Sequence, residues 1–251
     1  MDLKFPHHEC EIAQGTALNG KEPVRYWMHS NMLTVNGQKM SKSLNNSFLP
    51  KELFTGNHPL LEQAFSPMTV RFFMLQSHYR STLDFSNEAL RAAQKGYRKL
   101  ANGARIIKTM EYESQPESEI NEKAKNDIEQ SIRRFYDAMN DDINTAVAIA
   151  QLFNLLKYIN MLYTGQLKYA AIGEDTFKQL ETKFLYFFHD ILGLIEEKPT
   201  GESIINGMLN LYKEYKAEKQ YDKVDEIRTY FKNQGLVIRD MKHRIDWAYD
   251  E

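Results

Sequence analysis

From residue 59 onward the apolar positions recur every three or four residues, the spacing of one buried face of a helix. Val70, Phe73 and Met74 fall on one face of a first helix, and residues 87–110 form a long second one. Ile120, Ala124, Ile128, Ile132, Phe135 and Met139 make a clean stripe. Asp142 and Asn144 suit the cap of a following helix that carries Val147, Ala150, Phe153, Leu156 and Ile159. Phe177, Leu180, Phe184, Phe187, Phe188 and Ile191 mark a third, and the three together read as a bundle. At helical spacing this aromatic stripe is core. Further helices carry Ile205, Met208, Leu211, Tyr212 and Tyr215, then Val224, Ile227 and Phe231, with Gly235 placed to end the second. Leu236-Val237-Ile238 reads as a short strand, and the tail around Trp247 as irregular.

The first 58 residues have another pattern. Pro6 suits the first position of a helix running toward Leu18. Residues 27–35 are rich in strand formers, and Asn36-Gly37 after Leu33-Thr34-Val35 is a tight hairpin signal. The string that follows therefore starts at a strand end and enters a loop. Turn-rich breaks at Gly56-Asn57-His58-Pro59, at 114–118 and at 198–201 divide the chain into parts 1–58, 59–115, 116–198 and 199–251.

Composition narrows the class. The chain has 251 residues, 42% hydrophobic and 26% charged, the profile of an ordinary globular protein. Mean hydropathy is −0.57, and no apolar run approaches the roughly 20 residues that span a bilayer. No signal-peptide pattern is visible, which reads as a cytoplasmic protein. The single cysteine, Cys10, excludes an internal disulfide and a self-contained Cys-rich zinc site. Formal net charge is −2, so any nucleic acid must be met by a local patch.

The string Lys39-Met40-Ser41-Lys42-Ser43 carries the strongest chemistry. Two lysines three apart in a polar loop can converge on one phosphate chain. An ammonium on a long stem is a mobile point charge, suited to charge that moves during reaction. Adenylate formation has that need: a carboxylate attacks the α-phosphate of ATP and pyrophosphate leaves with growing negative charge. Serine hydroxyls and backbone N–H groups add hydrogen bonds. An arbitrary pair of lysines at this spacing would be a solvated loop, so the flanking sequence decides.

FPHHECEIAQ at 5–14, YWMHSNMLTV at 26–35, KMSKS at 39–43 and VRFFMLQSHYRSTLDFS at 70–86 together resemble the cysteinyl-tRNA synthetases, class I aminoacyl-tRNA synthetases. FYDAMNDDINTAVAIAQLF at 135–153 resembles the start of that family's DALR-type bundle, and the tail from Lys216 to Trp247 its anticodon-binding end. The resemblance covers nearly the whole chain. It implies a mainly α protein. In order come the C-terminal remnant of a Rossmann-type catalytic domain, a helical stem-contact region, the bundle, and a small mixed α/β tail. It further implies ATP-dependent activation of cysteine and its transfer to the cysteine tRNA, by a monomer away from membranes. The family's upstream ATP-cradling motif, of HIGH type, is not in this sequence. The chain is therefore expected to begin inside the catalytic domain and to be inactive alone.

Carried over residue by residue, the resemblance makes Lys39 and Lys42 catalytic and Lys39 to Ser43 the ATP-binding loop, with magnesium accompanying the nucleotide. His7 and Glu11 become two ligands of a zinc ion whose two cysteine ligands lie upstream. Zinc suits the task, because a substrate thiolate binds it well and a serine hydroxyl does not. Read without the family, His7 and Glu11 sit at a helix start where acids are stabilising. Lys216, Tyr221, Asp225 and Asp240 match the positions that read anticodon bases by stacking and hydrogen bonding; the family often has Arg and Trp where Lys216 and Tyr221 stand. His78 and Arg80 are candidates for touching tRNA or steadying the signature loop, and equally for a cap-and-packing cluster. A tRNA-binding module without catalysis is the alternative function. A relative that joins cysteine to an amino sugar shares the catalytic half, but the tail at 202–251 argues against it.

Overall fold

Asn36 and Gly37 both take left-handed conformations (φ 50° and 77°), the backbone of a tight hairpin turn. The turn joins β1 (Leu33–Val35) to β2 (Gln38–Lys39), antiparallel with Thr34 opposite Lys39. The hairpin and the helices below come from a computed structural model that describes residues 4–113, 119–197, 201–241 and 244–250. The breaks expected at 114–118 and 198–200 lie outside the described residues.

A third strand, β3 (Leu83–Phe85), lies parallel on the other side of β1. Asp84 of β3 accepts hydrogen bonds from Thr34 Oγ1 (2.6 Å) and from the Gly37 N–H (2.8 Å), which pins the hairpin. Between β1–β2 and β3 run α2 (Pro50–Thr55) and α3 (Pro67–Leu75), each with proline in its first turn. Ahead of them, α1 is Glu9–Asn19. It begins later than expected: Pro6 lies in a preceding turn where Phe5 is extended (φ −129°, ψ 129°), which a helix cannot include.

The long helix α4 (Asn87–Ile107) is capped by Ser86 and organises the rest. It packs on α3, and on α6 (Thr145–Tyr163) and α7 (Glu174–Tyr186), which form a bundle with α5 (Glu122–Asn140). The bundle expected from three stripes therefore has four members. In α3 the buried face holds Val70, Phe72 and Phe73, while Met74 is 47% exposed. The phase is set by α4, where Gly96 leaves room for the Phe72 ring; a Cβ there would come within 2.9 Å of it. In α6 the buried face is Ala148, Ile149, Leu152, Leu155, Leu156 and Ile159, and the expected Val147 and Ala150 are exposed. That helix is apolar nearly all round, so periodicity alone leaves its phase open. By length and composition α6 could cross a membrane, contrary to the expectation that no run approaches that length. It is instead packed among α4, α5 and α7. Ile120 precedes α5 and is 60% exposed, while Asn121 caps α5 through the Ala124 N–H.

A second, smaller core joins α8 (Glu202–Ala217), α9 (Tyr221–Asn233) and a hairpin of β4 (Leu236–Met241) and β5 (Arg244–Tyr249). Ile205, Met208, Tyr212 and Tyr215 pack in this core as expected, but Leu209 takes the place expected of Leu211, which is 43% exposed. The segment around Trp247 is not irregular. It is β5, with Trp247 5% exposed. Its charged residues obscured the strand because their partners are distant. Arg105 of α4 pairs with Asp246 (2.9 Å) and lies over the Trp247 ring at 4.4 Å. Asn102, buried on α4, exchanges hydrogen bonds with the backbone of Tyr249 (3.1 and 3.3 Å). These side chains lie on one face of α4 and dock the tail onto it.

Candidate functional site

The KMSKS loop leaves β2 and is held closed by a side chain that sequence reasoning passed over. Asn46 is only 5% exposed; its carboxamide accepts from the Ser41 N–H (2.8 Å) and donates to the Lys39 carbonyl (3.1 Å). Ser41 Oγ lies 3.2 Å from Ser43 Oγ and 3.3 Å from the Leu44 N–H, and Asn45 turns the chain at φ 50°. Met40 reaches inward against the core, and its N–H donates to the Leu33 carbonyl at 3.2 Å. Lys42 is exposed on the loop. The only sequence signal for this clamp is an asparagine four residues beyond the second lysine.

Beside the loop lies a cavity of about 910 Å³, lined by Lys39, Met40, the segment Trp27–Leu33, Tyr79, Arg80, Asp142, His8 and Lys4. Of the residues singled out in the sequence, Lys39, Met40 and Arg80 reach its wall, whereas Ser41, Lys42, Ser43, His7 and Glu11 do not line it. One side is aromatic: Trp27 stacks with His8 and His29, which tilt against each other, with ring centroids 4.9–6.0 Å apart. The aromatic wall and the cations Lys4, Lys39 and Arg80 of its lining suit a planar ring and an anionic group.

His7 and Glu11 are both exposed, and Cys10 beside them is exposed and free. Among the described residues no group of three or more His, Cys, Asp or Glu side chains could hold a metal ion. Two donors do not make a zinc site, which takes four. The residues present do not complete one.

Asn144 caps α6 by accepting from the Val147 N–H (3.2 Å), as expected, but Asp142 does not cap. It turns to the 78–80 segment instead. Tyr79 donates its hydroxyl to Asp142 Oδ1 (2.7 Å), His78 Nε2 lies 3.5 Å from Oδ2, and Arg80 forms an ion pair with the same oxygen. The hydrogen bond to Asp142 holds the Tyr79 phenol above its ordinary pKa.

In the tail, Lys216 and Asp240 are bonded to each other, with Nζ 2.7 Å from both carboxylate oxygens. Asp240 also accepts from Tyr212 Oη (2.9 Å), and Arg228 bridges Tyr212 and Asp225. Tyr221 stands apart, 61% exposed. Burial pushes the Asp240 carboxyl up, but the Lys216 ammonium and the Tyr212 hydroxyl outweigh it and hold the group below the usual range. A depressed folded pKa gives stability that is present above the unfolded value and lost as pH falls through the folded one. The tail is therefore expected to lose stability to acid below about pH 4. Asp240→Asn should flatten that dependence, read as tryptophan fluorescence against urea at several pH values. An unchanged acid profile in the variant would contradict the assignment.

Comparison with known proteins agrees with this architecture. Residues 1–95 match the family model described as tRNA synthetases class I (C) catalytic domain, and residues 134–196 match the DALR domain model. The chain is 56% identical over its whole length to the cysteine--tRNA ligase of Cytophaga hutchinsonii, covering 50% of that protein. It is 43% identical to the same-named ligase of Porphyromonas gingivalis, over 98% of this chain and 50% of the relative. For Chlorobaculum tepidum the figures are 38%, 99% and 49%. The chain thus spans about half the length of the curated relatives it matches. Over its whole length it is similar to the C-terminal part of cysteine--tRNA ligases.

Proposed function

We propose that the chain supplies the signature-loop side of the site that activates cysteine with ATP, together with the tRNA-binding part that receives the aminoacyl group. The observation that carries this reading is the KMSKS loop, clamped by Asn46, at the edge of an aromatic-walled cavity. In the proposed reaction the cysteine carboxylate attacks the α-phosphorus of ATP. The bond from that phosphorus to the bridging oxygen breaks, and pyrophosphate leaves. Lys42, exposed on the loop, neutralises the leaving charge, helped by Lys39. The Ser41 and Ser43 hydroxyls hold the phosphate oxygens, and Met40 anchors the ATP-binding loop against the core. Magnesium would accompany the nucleotide. His7 and Glu11 would be two of the ligands of a zinc ion, which when bound selects a thiol over a hydroxyl. The 2′- or 3′-hydroxyl of the terminal tRNA nucleotide then takes the aminoacyl group and releases AMP.

Recognition of the cysteine tRNA falls in this reading to Lys216, Tyr221, Asp225 and Asp240. Tyr221 offers an exposed ring for stacking. Lys216 and Asp240 must give up their mutual bond, or share it, to meet a base. The 59–115 region is proposed to contact the acceptor stem, 116–198 to be the bundle and 199–251 the anticodon-binding tail, with His78 and Arg80 within reach of the RNA end. The alternative, a tRNA-binding module without catalysis, is favoured by one observation: the tail has its own core. A gel shift with the cysteine tRNA tests recognition. The chain should retard it with steep salt dependence, and Tyr221→Ala should weaken binding by about tenfold, the scale of one lost base stack. Equal retention of an unrelated tRNA would overturn the specific reading.

A further inference from the structure

We propose that Asp142, a residue of the helical bundle, is the positioning residue that fixes the 78–80 segment, and through it residues 28–33, as the wall of the cavity.

The backbone gives the first indication. Asp142 and Ile143 both take left-handed conformations (φ 56° and 53°). Asparagine and aspartate visit that region with some ease, but a β-branched isoleucine there is an outlier. Capping does not require the strain, because Asn144 performs it. Its result is to aim the Asp142 carboxylate away from its own helix.

Three consecutive side chains then converge on that one carboxylate: His78, Tyr79 and Arg80. The backbone of the same segment carries the restraint onward. The Asn31 N–H donates to the Tyr79 carbonyl (3.1 Å), and the Asn31 carboxamide donates to the Arg80 carbonyl (3.0 Å). The Leu83 N–H donates to the Met32 carbonyl (3.2 Å), and the Met40 N–H to the Leu33 carbonyl (3.2 Å). Hydrogen bonds joined by short stretches of backbone therefore connect the bundle to the first residues of the KMSKS loop. Asp142, Tyr79, Arg80, Asn31 and Met40 all line the cavity.

A role in stability alone does not account for this. The Arg80 side chain is 63% exposed, and ion pairs in such settings add little. The strained turn works against stability. What the arrangement achieves is placement: one edge of the Arg80 guanidinium is tied to Asp142, and its remaining N–H groups are left for a phosphate oxygen in the cavity. That last step rests on reading the cavity as the ATP site.

Hydrogen exchange and ATP binding on this chain test both parts separately. Asp142→Asn keeps the shape and tolerates the left-handed backbone; Asp142→Gly relieves the backbone and also removes the carboxylate. In both, the Asn31 and Met40 amides should exchange about tenfold faster or more, while α5 and α6 exchange as before. Asp142→Gly should melt no lower than the unaltered chain. ATP with magnesium should bind each variant about tenfold more weakly, and Arg80→Ala should weaken ATP without loosening Asn31, whose bonds go to backbone. Unchanged exchange at Asn31 and Met40 overturns the proposal, as does faster exchange spread through the whole bundle with a lowered melting temperature. If exchange changes as stated but the unaltered chain binds no ATP, the positioning role stands and the reading of the cavity falls.

Discussion

Phe135→Ala is expected to lower the unfolding free energy by about 3–5 kcal/mol, the range for emptying a large aromatic site. Phe135 of α5 and Phe187, just after α7, are both fully buried. Their rings are parallel within 5° and 3.7 Å apart. Nearly eclipsed rings are not the preferred aromatic pairing, so the contribution comes mainly from burial and close packing. Tyr136 meets the Phe187 ring edge-on at 5.1 Å, which limits how far the site can collapse. A loss of this size is a large share of the 5–15 kcal/mol typical of a domain. Urea unfolding followed by circular dichroism reads it. A cost below about 1 kcal/mol would mean the bundle repacks freely, contrary to the high cost of such cavities elsewhere.

Lys42→Ala is expected to slow adenylate formation by roughly 10²–10³-fold in a full-length ligase carrying this sequence, the usual loss when one group stabilising developing charge is removed. Binding of the cysteine tRNA should be unaffected, because the tail and its own core lie apart from the loop. Lys42 is exposed, so truncation leaves no buried partner stranded and folding should be unchanged. Rapid-quench measurement of cysteinyl-adenylate against tRNA affinity separates the two effects. A variant that loses tRNA affinity but keeps the chemical rate would move Lys42 from catalysis to RNA binding.

Where one face of an element is apolar and the other polar, the sequence was legible. The α5 stripe and the Phe177–Phe188 run pack as their spacing requires, and Asn36-Gly37 makes its turn. Legibility failed where apolar residues surround the helix. In α6 the buried phase depends on neighbours, and local spacing cannot choose among several apolar faces. It failed again for β5, whose Arg244 and Asp246 look like a solvated tail until Arg105 and Tyr163 are placed against them. At the candidate site, residue types and spacing marked the lysines and serines. The restraints on them were hidden: Asn46 reads as an ordinary loop asparagine, and Asp142 as a helix cap. Both roles depend on partners brought close by the fold, Asp142's from 63 residues away.

The most direct test is cysteine-dependent exchange of pyrophosphate into ATP. It should be absent for this chain alone. It should appear when the chain is joined to the N-terminal half of the Cytophaga hutchinsonii ligase, and fall to background when Lys39 and Lys42 are both alanine. Exchange by the chain alone, or a joined protein that works at full rate without the two lysines, would contradict the placing of the activation chemistry at this loop.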